Sequence, residues 1–348
     1  MIKAKRLIIW SIIGTGISSV TTQLVTIREF LTQFHGNEIT ISLVLFCWLL
    51  LTGFGSLAAK GVRRSSLGFY TLLILIIAMA PLVQMLLIRG LRESLFTHGS
   101  SPGFYPIFFY IMLTITPYCL LTGFILPYAL KVLHDTHQAF TSGDLYLTDS
   151  IGDITGGALF SFVLVYWLKP FPIIAITSTL LILVALLLLA KSKRHLALVT
   201  VLALCSVFYY YSTDSLFEKR TLFTQYGNVV RYVESPYGRI VISMEANQHT
   251  IWESGVPLYS GSNTISSEEK IHYPLCQLDR VENVLLVSGG LGESMTEVTK
   301  YGPAHVDYVE LDPYLTDAAL SAGVIKKAPI LDIKNTDARL YLKTTQRS

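Results

Sequence analysis

Long apolar stretches dominate residues 1–212 and constrain the fold of this chain more than any other feature of its sequence. Each is close to the roughly 20 residues that an α-helix needs to cross a lipid bilayer. Of all 348 residues, 51% are hydrophobic and only 15% are charged, which is too apolar for a soluble protein of this length. The sequence therefore predicts a multi-spanning α-helical membrane bundle. Its seven predicted spans are at about 7–27, 39–58, 69–88, 105–130, 145–168, 170–190 and 196–211.

Basic residues at the ends of the spans predict the orientation of the bundle. Lys3, Lys5 and Arg6 precede the first span, and no small-residue cleavage site follows it, so we interpret it as a retained helix rather than a signal peptide. The positive-inside rule then places the N-terminus in the cytoplasm of a multi-pass cell-membrane protein. Seven spans would place the C-terminal part outside, whereas a miscounted helix would reverse this, so its side stays open.

The fifth span carries two carboxylates, Asp149 and Asp153, which share one helix face because they are four residues apart. Gly152 and Gly156 form a small-residue face that allows close helix approach. Ionisable groups at membrane depth usually face a bundle interior or a wet cavity. One interpretation is a site for protons or for a cation such as a polyamine. The other is that Asp149 caps the helix at the interface while Asp153 hydrogen-bonds to a neighbouring span.

Residues 213–270 form a charged linker followed by a small β domain. The linker is at 213–220, and alternating apolar residues predict strands at 229–233, 239–244 and 250–252. Turns are expected at 235–238 and 253–255 because both segments contain glycine. We therefore predict a β-hairpin domain between the bundle and the rest of the chain.

A strand, a glycine turn, a helix and a second strand follow one another in residues 284–313. Gly289, Gly290 and Gly292 let a ligand approach the backbone, and the helix that follows aims its first N–H groups at that ligand. Glu310 ends the second strand about 20 residues later, where a carboxylate can accept both hydroxyls of a ribose. The pattern predicts a partial α/β Rossmann-like, nucleoside-binding domain over 271–348.

The same stretch resembles the spermidine synthase (polyamine aminopropyltransferase) family, whose core reads roughly GGGDGGxLREV followed by VEIDP. Residues 288–293 (SGGLGE) and 296–298 (TEV) match the first motif, and 308–313 (YVELDP) match the second. Residues 272–275 (HYPL) resemble the family's HxPL, and 337–339 (DAR) resemble its DGR or DAR. The resemblance covers about 217–345, and the first part of the chain resembles the membrane half of fused, multi-spanning members.

The resemblance implies transfer of an aminopropyl group from decarboxylated S-adenosylmethionine, a co-substrate rather than a tightly bound cofactor, to a polyamine such as putrescine. It implies that Gly289, Gly290 and Gly292 hold the nucleoside and that Glu310 holds the ribose. It also implies that Asp337 holds the adenine amino group, where the alternative is a plain helix cap, and that Glu268 contacts the substrate.

Several residues depart from the family pattern. Leu291 replaces the Asp of GGGDGG, while Ser266 and Ser267 replace the Tyr-His before Glu268. The family's catalytic Asp lies on a fourth strand, and the sequence stops at Ser348 before such a strand, so the catalytic residues are unknown. Three explanations are open: a truncated product completed by a second chain, a shortened member that no longer catalyses, or an end swapped between protomers.

Other features of the sequence argue against nucleic-acid binding and against a zinc site. The net charge of +3 gives no support for nucleic-acid binding, and the four cysteines form no CxxC, so no zinc site is predicted. Three functions compete: a membrane-bound spermidine synthase-like transferase, a transport or sensing protein with a degenerate nucleoside-binding domain, and a non-functional fragment.

Overall fold

The computed structural model describes residues 2–34, 38–96, 102–136, 140–191, 201, 209–210, 214–261 and 264–345. The chain divides into two compact units, Met1–Gln225 and Tyr226–Ser348. This division differs from the predicted domains, because residues 214–225 group with the helical unit. The β domain and the nucleoside-binding part form one unit rather than two.

The first unit is helical throughout its described part. Long apolar segments favour helices here, including those that contain Pro81, Pro117 and Pro127, and each ends near a polar or basic residue. The helices are α1 (Ile2–Gln33), α2 (Glu38–Lys60), α3 (Leu67–Leu95), α4 (Phe104–Thr136), α5 (Ser142–Leu159), a π-helical turn (Phe160–Leu164), α6 (Val165–Trp167), α7 (Pro170–Lys191), α8 (Ser215–Thr221) and α9 (Phe223–Tyr226), the last of which reaches the second unit.

Six segments of the described helices are long and apolar enough to cross a membrane, judged by length and composition. They are Lys5–Gln33, Glu38–Lys60, Leu67–Leu95, Phe104–His134, Ser142–Trp167 and Pro170–Ala190. They coincide with the first six predicted spans. The seventh, at 196–211, lies outside the described residues except for Val201, Tyr209 and Tyr210.

Close helix approach in the bundle occurs where the sequence places small residues. α1 packs along α5, and a Cβ placed on Gly152 would lie 2.4 Å from the carbonyl oxygen of Ile13. A Cβ on Gly156 would lie 2.7 Å from the carbonyl oxygen of Ile17. Gly152 and Gly156 therefore form the predicted packing face, and the backbone of α1 occupies the space that side chains would need.

A buried ion pair links three parts of the helical unit. Arg89 on α3 donates from Nε and Nη2 to the two carboxylate oxygens of Glu29 at 3.0 and 2.9 Å. Its Nη1 donates to Thr221 Oγ1 at 2.7 Å, at the end of α8. The predicted linker at 213–220 is thus largely helical and attached to α3, with Asp214 accepting from the Leu216 N–H at its start.

The second unit begins with an antiparallel sheet of four strands in the order β1 (Val229–Glu234), β2 (Arg239–Glu245), β3 (Gln248–Glu253) and β4 (Val256–Ser260). The first three correspond to the predicted strands. β4 was not predicted, because Pro257 interrupts its short apolar pattern. The structure places that proline on an edge strand, where its missing N–H is tolerated.

A parallel sheet of three strands follows, in the order β5 (Asn283–Val287), β6 (His305–Glu310) and β7 (Leu331–Asn335). Four helices accompany it: α10 (Thr264–Leu275), α11 (Ser294–Thr299), α12 (Pro313–Ser321) and α13 (Ala338–Thr344). The predicted order of strand, glycine turn, helix and strand is present. In the described part of the chain β5 is an edge strand, with Leu285 and Val287 exposed by 39% and 48%.

One hydrophobic core joins the two sheets. Ile240, Ile242 and Ile251 of the antiparallel sheet pack with Tyr308 of β6 and Leu315 of α12. The β1–β2 turn is fixed to the start of α12, because Ser235 Oγ donates to Asp312 Oδ2 at 2.5 Å. These contacts hold β2, β3 and the β1–β2 turn against β6 and α12.

Candidate functional site

A cavity of about 360 Å³ opens at the carboxyl ends of β5 and β6. Ligands of open α/β sheets bind at this end of the strands. The walls come from β4, from one face of α10, from the glycine turn after β5 and from the end of β6. The lining residues are Pro257, Leu258, Tyr259, Ser260, Ser266, Ser267, Lys270, Ser288, Gly289, Leu291, Glu310 and Leu315.

The turn after β5 has positive φ angles, which glycine adopts more readily than other residues. Its φ angles are +45° at Ser288, +138° at Gly289 and +70° at Gly292. A Cβ on Gly290 would lie 2.7 Å from the Tyr308 ring, and one on Gly292 would lie 2.1 Å from the Tyr259 ring. Gly289 lines the cavity, whereas Gly290 and Gly292 let two aromatic rings pack against the turn.

Glu310 lies at the last position of β6, lines the cavity and is only 6% exposed. Its Oε2 accepts from Ser288 Oγ and from Tyr308 OH, each at 3.0 Å, and its Oε1 accepts from the Leu311 N–H at 2.9 Å. A carboxylate offers roughly four acceptor positions, so one remains, and rotation of the Ser288 hydroxyl would release another. Two acceptors match the two hydroxyls of a ribose.

The electrostatics around Glu310 favour neutral partners. Burial, followed by the negative charge of Glu310, raises the pKa of the Tyr308 phenol above its ordinary value, so this group remains a hydrogen-bond donor. Burial also raises the pKa of Glu253, and the charges of Glu310 and Asp312 add to that shift. The site therefore resists a further negative charge beside Glu310.

Besides Gly290 and Gly292, two predicted ligands that would act through their side chains lie away from the cavity lining. Asp337 is exposed and caps α13, where its Oδ1 accepts from the Leu340 N–H at 2.9 Å. Glu268 is exposed on α10, beside His272 and Glu297. The cap at Asp337 is the alternative that the sequence had left open. Contact of either residue with a ligand stays a prediction.

Two clusters in the described residues have donor atoms close enough for a metal, but other partners use those atoms. In the first, His272 Nε2 lies 2.8 Å from Glu297 Oε2, and Lys300 Nζ also bonds that oxygen. These two partners, Lys300 first, lower the pKa of Glu297. In the second, formed by His305, Asp307 and Asp332, Lys334 pairs with Asp332 at 2.8 Å. Because a lysine ammonium group pairs with a carboxylate in each cluster, we interpret both clusters as ion-pair networks rather than as metal sites.

Sequence reasoning missed Tyr259 and Lys270 as lining residues. Tyr259 lies on the unpredicted strand β4. Lys270 lies on α10 four residues after Ser266, so the two share a helix face. The sequence held one indication of this position. Ser266 departs from the family pattern, and Lys270 shares its helix face through the four-residue spacing.

A second polar cavity, of about 410 Å³, lies in the helical unit. Asp149 and Asp153 both line it, as their four-residue spacing predicts. Hydroxyl and amide groups of α1, α2 and α4 surround them. These lining residues are Thr15, Ser19, Gln23, Thr52, Ser56 and Thr122.

Comparison with known proteins gives consistent matches to one family. Residues 264–347 match the Spermine/spermidine synthase domain. Polyamine aminopropyltransferase 2 of Aquifex aeolicus (strain VF5) is 25% identical over 185 residues, which are 51% of this chain and 37% of that protein. Polyamine aminopropyltransferase of Oceanobacillus iheyensis is 23% identical over 247 residues, 65% of this chain and 48% of that protein. This chain thus spans less than half the length of each of these relatives.

Solved structures of spermidine synthases also align. The enzyme from Thermotoga maritima gives a TM-score of 0.31 at 20% identity, covering 34% of this chain and 43% of that chain. A spermidine synthase in complex with the transition-state analogue AdoDATO gives the same TM-score and identity, covering 34% and 44%. The match over residues 264–347 confirms the resemblance that the motifs indicated.

Proposed function

Because residues 264–347 form a spermine/spermidine synthase domain, we propose that this protein binds an adenosyl nucleoside and serves aminopropyl transfer in polyamine biosynthesis. One observation carries the proposal. The buried carboxylate of Glu310 and the positive-φ turn at Ser288 and Gly289 line the same cavity. The carboxylate can accept hydrogen bonds from the ribose hydroxyls, and the positive-φ turn lets the ligand approach the backbone closely.

In the proposed reaction, the amine of a polyamine such as putrescine attacks the aminopropyl carbon beside a sulfonium. The carbon–nitrogen bond forms, the carbon–sulfur bond breaks, methylthioadenosine leaves and the amine loses a proton. Decarboxylated S-adenosylmethionine is the donor that the relatives' names suggest. Enzymes of this kind act chiefly by holding the two reactants in line. Glu310 would orient the donor.

Glu268 and Asp337 are proposed contacts for the polyamine and the adenine. At Asp337 only Oδ1 serves the helix cap, so Oδ2 could accept from an adenine amino group. Glu310 is the only carboxylate that lines the cavity within the described residues, so we assign no base for the amine.

Calorimetric titration of the detergent-purified chain with methylthioadenosine tests the nucleoside site. We expect binding in the micromolar range and about a 10- to 100-fold loss in Glu310→Ala, because hydrogen bonds to a charged group contribute about 1.5–3 kcal/mol each. Asp332→Asn is the matched control, since it removes a carboxylate from β7 that does not line the cavity. Equal affinity in Glu310→Ala and wild type, both folded, would exclude this site.

We propose that the helical unit is a membrane-embedded bundle. Its polar cavity supports a second candidate function, which is the binding of a small cation such as a polyamine. Two carboxylates, Asp149 and Asp153, face one cavity beside hydroxyl groups. Carboxylates at membrane depth are costly and usually serve ions or substrates.

Thermal unfolding of the detergent-purified chain with and without spermidine tests the bundle site. Binding to the folded state should raise the midpoint, and Asp149→Asn and Asp153→Asn should abolish that rise. Glu38→Gln is the control, because it removes an exposed carboxylate at the start of α2. If the two Asn variants lower folding yield but keep the spermidine effect, the carboxylates serve packing instead.

A further inference from the structure

The polar cavity of the helical unit holds two carboxylates and no basic side chain among its described lining residues. Asp149 and Asp153 of α5 line it, together with hydroxyl and amide groups of α1, α2 and α4. The same lining contains no cysteine or tyrosine that could share their charge. Within the described lining, each carboxylate therefore has only the other as an ionisable neighbour.

The described charged groups of the surrounding helices lie outside this lining. Lys131 on α4 donates to two backbone carbonyl oxygens near the end of α2 at 2.7 and 2.8 Å. Glu29 on α1 pairs with Arg89, and Asp144 belongs to the capping box at the start of α5. The other such groups are Lys5, Arg6, Arg28, Glu38, Lys60 and His134. No described protein cation in the cavity wall balances the two carboxylates.

Buried hydroxyl groups beside the cavity point to a ligand. Ser18 and Thr22 are four residues apart on one face of α1, and each directly precedes a lining residue, Ser19 or Gln23. Their hydroxyl oxygens are buried and make no hydrogen bond of ordinary geometry within the described part of the chain. Buried hydroxyls are normally hydrogen-bonded. This side of the bundle thus offers donors and acceptors that the helices themselves do not use.

The two carboxylates determine which exchange is possible in the cavity. An ionised carboxylate without a counter-ion is costly at membrane depth, whereas the neutral acid costs far less. Without a ligand, protons are the counter-ions at hand. An ammonium group can take the place of a proton through a charge-assisted hydrogen bond. Each ammonium that pairs with a carboxylate then displaces one proton to solvent, and the net charge of the cavity stays the same.

We propose that this cavity exchanges protons for an organic polyammonium ion, with Asp149 and Asp153 as the exchanging groups. The inference rests on the cation site and the membrane-embedded bundle proposed above, and it adds that cation binding releases protons. Two carboxylates on one helix face fit two ammonium groups of one ligand. Binding weakens as pH falls, because protons and the ligand compete for the same carboxylates.

Calorimetry in buffers of different ionisation enthalpy measures this coupling. The full chain in nanodiscs of neutral phosphatidylcholine is titrated with spermidine at pH 7, so that no anionic lipid binds the ligand, and protein-free nanodiscs give the blank. We expect release of about one to two protons per bound spermidine, one for each carboxylate that pairs. Between pH 7 and pH 5 the affinity should fall about tenfold per pH unit for each proton displaced.

Substitutions assign the released protons to the two carboxylates. Asp149→Asn and Asp153→Asn should each lower the number of protons by about half, and heat that persists in the double variant arises outside the cavity and is subtracted. If a single variant no longer binds, that loss makes the same assignment, and the wild-type number still decides the coupling.

Asp144→Asn is the matched control on the same helix. It removes an exposed carboxylate outside the cavity lining, and asparagine keeps an oxygen that can accept from the Thr141 N–H. The number of protons should stay at the wild-type value.

Two results would overturn the inference, and they differ in what else they remove. Spermidine binding without proton release, at an affinity that does not change with pH, would exclude the exchange and leave the cation site standing. A folded wild-type chain that binds no more spermidine than the double variant would exclude both the exchange and the cation site.

Discussion

At the scale of single residues, the glycine turn makes a prediction that separates steric from conformational effects. Gly292→Ala should weaken methylthioadenosine binding at least tenfold and lower the unfolding midpoint, because its Cβ would lie 2.1 Å from the Tyr259 ring and its φ is +70°. Gly302→Ala is the control, since φ there is +63° but no atom lies within 4 Å. In both variants, an alanine in the left-handed conformation lowers the free energy of unfolding by about 1–2 kcal/mol. Equal effects of the two changes would contradict a role for the Tyr259 contact.

Glu253 gives a pH-dependent prediction. Its raised pKa means that the folded state keeps the proton to a higher pH than the unfolded state. Stability is therefore lost as pH rises from the ordinary value of 4.5 through the raised pKa. Glu253→Gln should raise the unfolding midpoint at pH 7 and change it little at pH 4. Glu245→Gln, at an exposed residue of β2, is the control and should change the unfolding midpoint equally at both pH values. A higher midpoint for Glu253→Gln at pH 4 alone would contradict the raised pKa of Glu253.

Individual site residues differ in how far the sequence could predict them. Glu310 could be placed because its distance from the glycines is set by one strand, one turn and one helix. Lys270 and Tyr259 reach the cavity through the packing of α10 and β4 against the turn, which no local pattern encodes. Asp337 fitted both a ligand and a cap, and its bond to the Leu340 N–H appears only in the folded backbone.

At the scale of elements, the packing of α1 on α5 makes the sharpest prediction. Gly152→Ala should destabilise the helical unit by about 1–3 kcal/mol, because its Cβ would lie 2.4 Å from the Ile13 carbonyl oxygen on a backbone that cannot easily move. Gly157→Ala, whose nearest neighbour would be Val20 Cγ1 at 3.7 Å, should be tolerated. Thermal unfolding followed by size exclusion in detergent measures both. Similar midpoints for the two variants would mean that the helices do not meet closely at Gly152.

The elements that the sequence predicted are those with long or regular patterns. Six apolar segments gave six helices, and β2 and β6 followed from alternating or continuous apolar runs. Two elements were missed or under-described for physical reasons. In the edge strand β4, Pro257 interrupts a short apolar pattern. The helix α8 has only seven residues, so its helicity depends on the Asp214 cap and on the hydrogen bond from Arg89 to Thr221.

At the scale of the whole molecule, composition separates an apolar first unit from a second unit with two sheets, and the boundary is at 225 rather than 212. The shift follows from Thr221 and Phe217, which contact Arg89 and Phe171 of the helical unit. The sequence could not show that the antiparallel sheet and the nucleoside-binding part share one core, because Ile251 and Leu315 are far apart in the chain.

Membrane topology gives the last prediction. Basic residues in the first turns of α1 and after α2 favour a cytoplasmic N-terminus. Six crossings, an even number, would return the chain to the cytoplasm, where an adenosyl nucleoside is made, whereas a seventh at 196–211 would place the second unit outside. We expect green fluorescent protein fused at either end of the full chain to fluoresce and alkaline phosphatase fused after Ser348 to be inactive. Fusions after Arg64 and after Phe96 serve as inside and outside controls. An active phosphatase after Ser348 would require the seventh crossing and would separate the cavity at Glu310 from the cytoplasmic pool of its proposed ligand.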